Sequence, residues 1–239
     1  ERLLLAALVM TAISLLIPIL CVSRFQLVFA VLLAAFTYIS LQKLFHPGWL
    51  FGLFVVMIPF YLILTVARSH NIEYLNGIFE MKNASMPIFV SQPYIYIANN
   101  YDNFNFLVGA LPGHSFGLKG LFPLWALSGL KFFFPQLINF PIYVDKTELT
   151  TLTLFYDSYY DFGWIGVLLF SCILGAIAYI LVVKLREMRN PLGYLLYAQF
   201  AAYLMLSFFT TWFSNTTTWF YLILTGIMAL FYHLRASRW

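Results

Sequence analysis

The sequence predicts an all-α polytopic membrane protein, and three observations support this fold class. Hydrophobic residues make up 62% of the 239 residues, charged residues only 9%, and the mean hydropathy is +0.86. A soluble domain averages about 25% charged residues, so this chain has too few charges to cover a water-facing surface of its size. Short polar turns separate long apolar segments. Together these properties exclude a disordered chain, a nucleic-acid-binding domain and an ordinary cytosolic enzyme.

Six segments meet or approach the length of about 20 apolar residues that a helix needs to cross the hydrocarbon core. None of them contains Asp, Glu, Lys or Arg, and they cover residues 3–22, 25–41, 49–67, 164–183, 192–213 and 217–234. Tight polar turns between neighbouring segments predict antiparallel hairpins. Cys21 and Cys172 lie within apolar segments without metal-ligand spacing, so they indicate neither a zinc site nor a disulfide.

Residues 121–139 have the length of a further span, but Lys131 lies near the middle and Pro123 and Pro135 lie toward the ends. A lysine at mid-membrane costs a few kcal/mol unless it is paired, so we expect an interfacial or re-entrant helix here. Charge counting agrees with either topology. Without a crossing, the sequence predicts three transmembrane helices in residues 1–67, one extracytoplasmic loop in 68–160 and three transmembrane helices in 161–239. Both ends would then be cytoplasmic.

The charged residues concentrate in one block. Residues 68–161 contain seven of the nine acidic residues and five of the 13 basic residues. The block is also rich in asparagine, aspartate and tyrosine, a composition that suits carbohydrate, because amides and carboxylates pair with hydroxyls and aromatic faces stack on sugar rings. We therefore expect the chemistry of this protein to lie in the block.

Two motifs in the block indicate a family. Tyr96-Ile-Ala-Asn-Asn-Tyr101-Asp102-Asn103-Phe104-Asn105 is followed by Tyr159-Tyr160-Asp161-Phe162-Gly163-Trp-Ile-Gly166 at the start of a span. Over roughly residues 48–185 the chain resembles the oligosaccharide repeat-unit polymerases, the Wzy-type O-antigen and capsule polymerases of the bacterial cytoplasmic membrane. Members of that family usually have more spans, and this chain opens on Glu1, so we expect it to be part of a longer protein.

The resemblance implies an enzyme that joins lipid-linked oligosaccharide units on the outer side of the membrane. The donor would be a growing chain on undecaprenyl diphosphate, and a hydroxyl of the next lipid-linked unit would attack its anomeric carbon. A chain-length regulator is a further candidate partner, and nucleic acid is not expected. We expect no cofactor and no metal, since metal-ligand spacing is absent from the sequence.

Two other functions are alternatives. A polysaccharide exporter or transporter would be expected to carry ionisable residues or broken helices at the membrane midplane and paired repeats, which the six segments do not show. An O-antigen ligase would use the same donor with a different acceptor. A ligase would be expected to show a constellation of loop histidine and arginine residues.

Arg68 directly follows the third apolar segment. Its side chain either extends to the lipid headgroups or binds the lipid diphosphate that the resemblance implies, because the planar guanidinium group matches phosphate oxygens. Lys82 and Lys119 are candidates for the same role.

His114 is flanked by turn-forming residues and therefore lies on a loop. It is either a solvated side chain or the base that takes a proton from a sugar hydroxyl, a task that suits imidazole near neutral pH. Asp102 and Glu148 are rival bases, and Asp102 alternatively forms an Asx-turn.

Asp157 and Asp161 lie four residues apart and would share a helical face if the helix begins early. Asp161 is a catalytic candidate, but it alternatively caps the N-terminus of the span. The candidates for sugar binding are the remaining amide, carboxylate and aromatic side chains of the two motifs, namely Asn99, Tyr101, Asn105, Asp157 and Tyr160.

Overall fold

A computed structural model describes residues 24–42, 47–66, 71–187, 190–208 and 210–236, together with a few positions before residue 21. Within these ranges the elements are α-helices and short 3₁₀ turns, with no strand, so the all-α prediction is confirmed for this part of the chain. The chain divides into two compact units, residues 1–92 and 93–239.

The first unit contains α1 (Arg24–Gln42), α2 (Pro47–Val66) and α3 (Ile72–Ile78). Helices α1 and α2 pack against each other. After α3 the chain turns back, and the buried side-chain amide of Asn76 donates to the carbonyls of Ala84 (2.8 Å) and Met86 (2.7 Å). One amide thus satisfies two carbonyls of an irregular turn.

The second unit contains most of α4 (Ile88–Ala110), then α5 (Phe122–Leu127), α6 (Tyr156–Glu187), α7 (Pro191–Met205) and α8 (Thr216–Ala236). Helix α7 packs against both α6 and α8, and α5 packs against α8. The side chain of Asn190 caps α7 by accepting the N–H of Leu192 (3.0 Å) and donates to the carbonyl of Ala229 (2.7 Å). The start of α7 is therefore attached to the last turns of α8.

Two helices in the described residues are long and apolar enough to cross a membrane, Tyr156–Lys184 and Thr216–Arg235. They give weak support to a membrane protein. Helices α1, α2, α6, α7 and α8 coincide with five of the six predicted segments, and most of the sixth, residues 3–22, lies outside the described residues. The six-span topology stays a prediction.

Helix α7 has 15 residues and ends at Met205, whereas the apolar pattern continues to residue 213. Its next carbonyls are bound by other segments: that of Ser207 accepts the N–H of Leu154 (3.0 Å), and that of Phe208 accepts the side-chain amide of Asn100 (2.8 Å). Tertiary hydrogen bonds take the place of another helical turn, a feature that hydropathy alone does not reveal.

Residues 121–139 do not form one continuous helix. They contain the six-residue α5 and two 3₁₀ turns, Leu130–Phe132 and Pro135–Leu137. Gly129 is left-handed, with φ 78°, and Pro135 removes a backbone donor, so both interrupt a helix. Helix α5 rises only about 9 Å, which is too short to cross a membrane. The interfacial position of this segment stays a prediction.

The 23-residue helix α4 lies inside the predicted loop of residues 68–160, where the sequence predicts no long helix. The boundary between the compact units, at residues 92 and 93, also falls within α4. Polar residues at many positions of α4 hide its helical character from a search for apolar periodicity.

Candidate functional site

The candidate site joins two segments of the second unit. We call residues 111–121 the histidine loop and residues 156–166 the α6 N-terminal segment. Two backbone hydrogen bonds connect them, from the N–H of Ser115 to the carbonyl of Tyr160 (3.3 Å) and from the N–H of Phe116 to the carbonyl of Asp161 (3.0 Å). The structure therefore brings the loop with His114 against the Tyr-Asp-Phe-Gly motif.

A break in α6 makes these two carbonyls available to the loop. Phe162 has φ −137°, and Gly163 has φ 63° and ψ −148°. In a continuous helix each carbonyl would accept the N–H four residues later. The backbone conformation of Gly163 is one that glycine adopts without strain and other residues rarely adopt. The glycine of the motif thus exposes carbonyls that fix the loop.

The carboxylate of Asp161 is the main attachment point of the histidine loop. It is only 2% exposed. One of its oxygens accepts the hydroxyl of Ser115 and the N–H of Lys119 (3.1 Å), and the other accepts the N–H of Gly120 (2.7 Å). A side chain at Gly120 would place its Cβ 2.6 Å from the same carboxylate, so the absence of a side chain allows this close approach.

These contacts give Asp161 a role that neither interpretation of the sequence included. Its donors come from the loop and not from the first turns of the span. A buried carboxylate is costly unless hydrogen bonds compensate it, and three donors do so here. The catalytic role of Asp161 stays a prediction, but the contacts assign its carboxylate to holding the loop.

Lys119 and Asp157 form a buried ion pair. The Lys119 Nζ lies 3.7 Å from a carboxylate oxygen of Asp157, and the two side chains are 12% and 7% exposed. The ammonium also lies 4.6 Å from the ring centroid of Tyr160 and 5.6 Å from that of Tyr156, within the range of cation–π attraction. The sequence predicts that Lys119, Asp157 and Tyr160 bind substrate. In the structure Lys119 contacts both Asp157 and Tyr160, and the substrate-binding role of the three residues stays a prediction.

Tyr156 and Tyr160 belong to a small core together with Leu107. The hydroxyl of Tyr156, which is fully buried, accepts the N–H of Tyr143 (2.7 Å) and donates to its carbonyl (2.8 Å). The ring of Tyr160 packs against Tyr143 at a centroid distance of 5.9 Å. These aromatic side chains therefore hold the chain around residue 143.

His114 is the exposed titratable side chain where the histidine loop meets the α6 N-terminal segment. Its Nδ1 lies 3.3 Å from the carbonyl of Tyr160, and its ring meets that of Tyr159 edge to face at 6.1 Å. The ring also lies against Gly163, where a Cβ would be 3.1 Å from Nε2. His114 thus combines a fixed ring with an accessible position, which is what its predicted role requires.

Three of the four asparagines of α4, Asn99, Asn100 and Asn103, are buried. Asn99 and Asn103 each donate a side-chain N–H to the carbonyl of Leu149 (2.9 and 2.7 Å), and Asn103 also donates to the carbonyl of Thr151 (2.8 Å). The Asn103 oxygen accepts the N–H of Asp145 (3.0 Å). Asn99, predicted to bind sugar, is only 4% exposed and binds an irregular segment of its own chain.

Most of the remaining candidates are exposed. On α4, Tyr101, Asp102 and Asn105 are exposed, on the side opposite to the buried asparagines, as the 3.6-residue period requires. Lys82 is exposed in the first unit. Arg68 lies outside the described residues. The structure therefore leaves the predicted roles of these five residues untested.

Sequence reasoning missed Ser115, Gly120 and Tyr156, which shape the site without matching any catalytic pattern. For Gly120 the signal in the sequence was the glycine spacing of the histidine loop. Gly117 faces an aromatic ring of the α6 N-terminal segment, and Gly120 faces a carboxylate of the same segment. A Cβ at Gly117 would lie 3.4 Å from the ring of Phe162. Such contacts cannot be assigned before the facing segment is known.

A cavity of about 680 Å³ lies between α6, α7, α8 and the histidine loop. Its lining is mainly apolar and follows α6 from Gly166 to Leu181. The polar side chains that line it are Ser158, Asp161 and Ser214, which lie at the N-terminal ends of α6 and α8. The cavity therefore has one polar end, next to the histidine loop, and an apolar body along the helices.

Among the described residues there is no group of three or more His, Cys, Asp or Glu side chains that could hold a metal ion. Comparison of the chain with protein-family models, with curated proteins and with solved structures finds no match.

Proposed function

We propose that this protein is a membrane glycosyltransferase that polymerises undecaprenyl-diphosphate-linked oligosaccharide units into O-antigen, capsule or exopolysaccharide. It would act at the outer face of the bacterial cytoplasmic membrane, with six spans, both ends of this chain in the cytoplasm and the histidine loop outside. Arg68 would bind the diphosphate, and His114 or Asp102 would act as base. A chain-length regulator is a candidate partner.

The observation that carries the proposal is the cavity beside the histidine loop. A lipid-linked sugar needs an apolar channel for its tail and a polar region for its head at the level of the membrane surface. The cavity follows α6 over residues 166–181, a rise of about 22 Å, and its polar end is next to the loop. Its volume falls in the usual range for small-molecule sites, about 300–1,000 Å³.

The direction of the helices supports the same arrangement. Helices α6 and α8 both begin at the histidine loop, and α7 runs between them with its start attached to the end of α8. If α6 and α8 cross the membrane, their N-terminal ends lie at one surface. The histidine loop would then lie at that surface, where the head of a lipid-linked substrate would be.

The proposed reaction is a displacement at the anomeric carbon. The acceptor hydroxyl gives its proton to a base and forms the new glycosidic bond, while the bond from the anomeric carbon to the lipid diphosphate breaks and the diphosphate leaves with the electron pair. Cationic groups would stabilise the charge on the leaving diphosphate, and the cavity would fix the position of the donor.

The test is the lipid-linked glycan profile of cells that lack the gene, compared with cells that carry it again on a plasmid. Single repeat units should accumulate on lipid, long polymer should disappear from a gel, and the plasmid should restore the ladder. Long polymer that is not attached to its final acceptor would overturn the proposal in favour of a ligase. Intermediates confined to the cytoplasmic face would overturn it in favour of an exporter.

A further inference from the structure

We propose that residues 159–163 position the imidazole of His114 with Nδ1 protonated and Nε2 free to accept the proton of the attacking sugar hydroxyl. The identity of the hydroxyl rests on the proposed function, whereas the orientation of the ring rests on contacts in the structure. The proposal selects His114 from the candidate bases and makes Tyr160 and Gly163 positioning residues.

The carbonyl of Tyr160 determines which ring nitrogen carries the proton. Nδ1 of His114 lies 3.3 Å from that oxygen. A carbonyl oxygen only accepts hydrogen bonds, so Nδ1 must donate. A neutral imidazole has one N–H, and Nε2 then carries the lone pair. The carbonyl is available because the break at Phe162 and Gly163 ends the regular helical hydrogen bonding at this point.

The Tyr159 ring, supported by Phe104, and the close approach of Gly163 fix the plane of the His114 imidazole. Tyr159 meets the imidazole edge to face at 6.1 Å and is itself packed against Phe104, with ring centroids 5.4 Å apart. On another side, a Cβ at Gly163 would lie 3.1 Å from Nε2 and 3.2 Å from Cε1 of His114. A side chain at Gly163 would therefore force the imidazole to shift from its present position against the Tyr160 carbonyl.

His114 differs in solvent exposure from the two carboxylates of the same site. His114 is exposed, whereas Asp157 and Asp161 are 5% and 2% exposed and are engaged with Lys119 and with the histidine loop. An imidazole that is both fixed and accessible can meet a substrate hydroxyl without first breaking an internal contact. In the reaction its Nε2 takes the hydroxyl proton, the oxygen bonds to the anomeric carbon, and the lipid diphosphate leaves with the electron pair of the broken bond.

The orientation can be tested without substrate. The full chain is labelled with ¹⁵N-histidine, reconstituted in lipid nanodiscs and measured at a pH at which the imidazole is neutral. The proton of His114 should then be on Nδ1. The signal is assigned as the one of the four histidines that disappears in His114→Gln. A neutral ring with the proton on Nε2 would overturn the proposed orientation. Gly163→Ala should remove the Nδ1–H preference, since the ring is displaced.

The catalytic part is tested with membranes from cells that lack the gene, which hold accumulated lipid-linked repeat units. Wild-type protein added to these membranes should lengthen the chains. His114→Gln should lower the rate by about 100-fold or more, the usual contribution of a general base, and added imidazole should partly restore the activity of His114→Ala. A His114→Gln rate equal to the wild-type rate would overturn the base assignment while leaving the polymerase function intact. If cells that lack the gene did not accumulate lipid-linked repeat units, the proposed polymerase function itself would be overturned.

Gly129→Ala is the matched control for Gly163→Ala. Gly129 also has a positive φ, 78°, but a Cβ there meets no atom within 4 Å. We expect Gly129→Ala to keep both the NMR signature and the activity. Gly163→Ala should lower kcat and leave KM nearly unchanged, because it displaces the base and not the substrate. Equal losses in the two variants would show that backbone strain alone explains the effect and would overturn the positioning role of Gly163.

Discussion

Two regions hold irregular segments of the chain in place through buried polar side chains. One is the face of α4 that carries Asn99 and Asn103, which we call the amide face, and the other is the α6 N-terminal segment. The first mainly donates hydrogen bonds to these segments, and the second accepts them. On α4, Asn99 and Asn103 donate N–H groups to the carbonyls of residues 149 and 151. On α6, the Asp161 carboxylate accepts N–H groups and a hydroxyl from the histidine loop. Neutral donors bind carbonyls in one place, and a charged acceptor binds amide donors in the other.

The difference in charge has a consequence for stability. Hydrogen bonds to a charged group are stronger than neutral ones, and an uncompensated buried charge costs more than an unpaired amide. The attachment of the histidine loop should therefore be strong but should depend mainly on Asp161, which adds to two backbone hydrogen bonds and the Lys119–Asp157 ion pair. Asn99 and Asn103 together attach residues 145–151, so each amide contributes a smaller part of the stabilisation of that segment.

The two regions also share a division between buried and exposed polar side chains. Each region has an inward polar face that serves the fold and a few exposed groups beside it: Tyr101, Asp102 and Asn105 on α4, and His114 next to α6. Density of polar residues in the sequence therefore indicates a polar segment, but burial decides which of its members can reach a substrate.

The largest effect is expected for Asp161→Ala. The change leaves the Ser115 hydroxyl and the N–H groups of Lys119 and Gly120 without their acceptor in a buried site. We expect a loss of about 3 kcal/mol in the free energy of unfolding, measured in detergent, and faster proteolysis within the histidine loop. The matched control is Asp102→Ala, since Asp102 is exposed and its loss should have little effect. Similar losses in both variants would contradict the proposed attachment.

A smaller loss is expected for Asn103→Leu, which keeps the approximate size of the side chain. It leaves the carbonyl of Thr151 and the N–H of Asp145 without their partner, while Asn99 still donates to Leu149. We expect a loss of about 2 kcal/mol in the same unfolding measurement. Asn105→Leu on the exposed face serves as the control. If Asn103→Leu cost as much as Asp161→Ala, charge would not be what distinguishes the two regions.

Hydropathy predicted much of the helical framework, because long apolar helices need no knowledge of their partners. It missed α4, whose buried face carries Asn99, Asn100 and Asn103 where an ordinary helix would carry apolar residues. It also extended α7 beyond Met205, since the hydrogen bonds that end this helix come from α4 and from residue 154. Both differences arise from contacts between segments distant in sequence.

The candidate site was predictable in position but less so in roles. The second motif is one of the two segments that meet, and the turn-forming residues around His114 predicted its position on a loop. The inward orientation of Asn99, Tyr160 and Asp157 was not predictable, because amides, phenols and carboxylates suit both sugars and backbone groups. Only the facing segment determines which of the two they bind.

The smallest effect is expected for Tyr156→Phe, which tests a link between the two regions. Tyr156 belongs to α6, but its hydroxyl holds the backbone of Tyr143 (2.7 and 2.8 Å), just before the segment that the α4 amides hold. A neutral hydroxyl that both accepts and donates should contribute less than the carboxylate, about 1 kcal/mol, because its partners lie in an adaptable irregular segment. Tyr179→Phe on the same helix is the control, since Tyr179 is exposed, and it should leave the unfolding free energy unchanged.

Combining Tyr156→Phe with Asn103→Leu should cost less or more than the sum of the two single losses if both side chains hold one cooperative segment. Strict additivity would instead mean that residues 143 and 145–151 are attached independently, and that the two regions are separate supports.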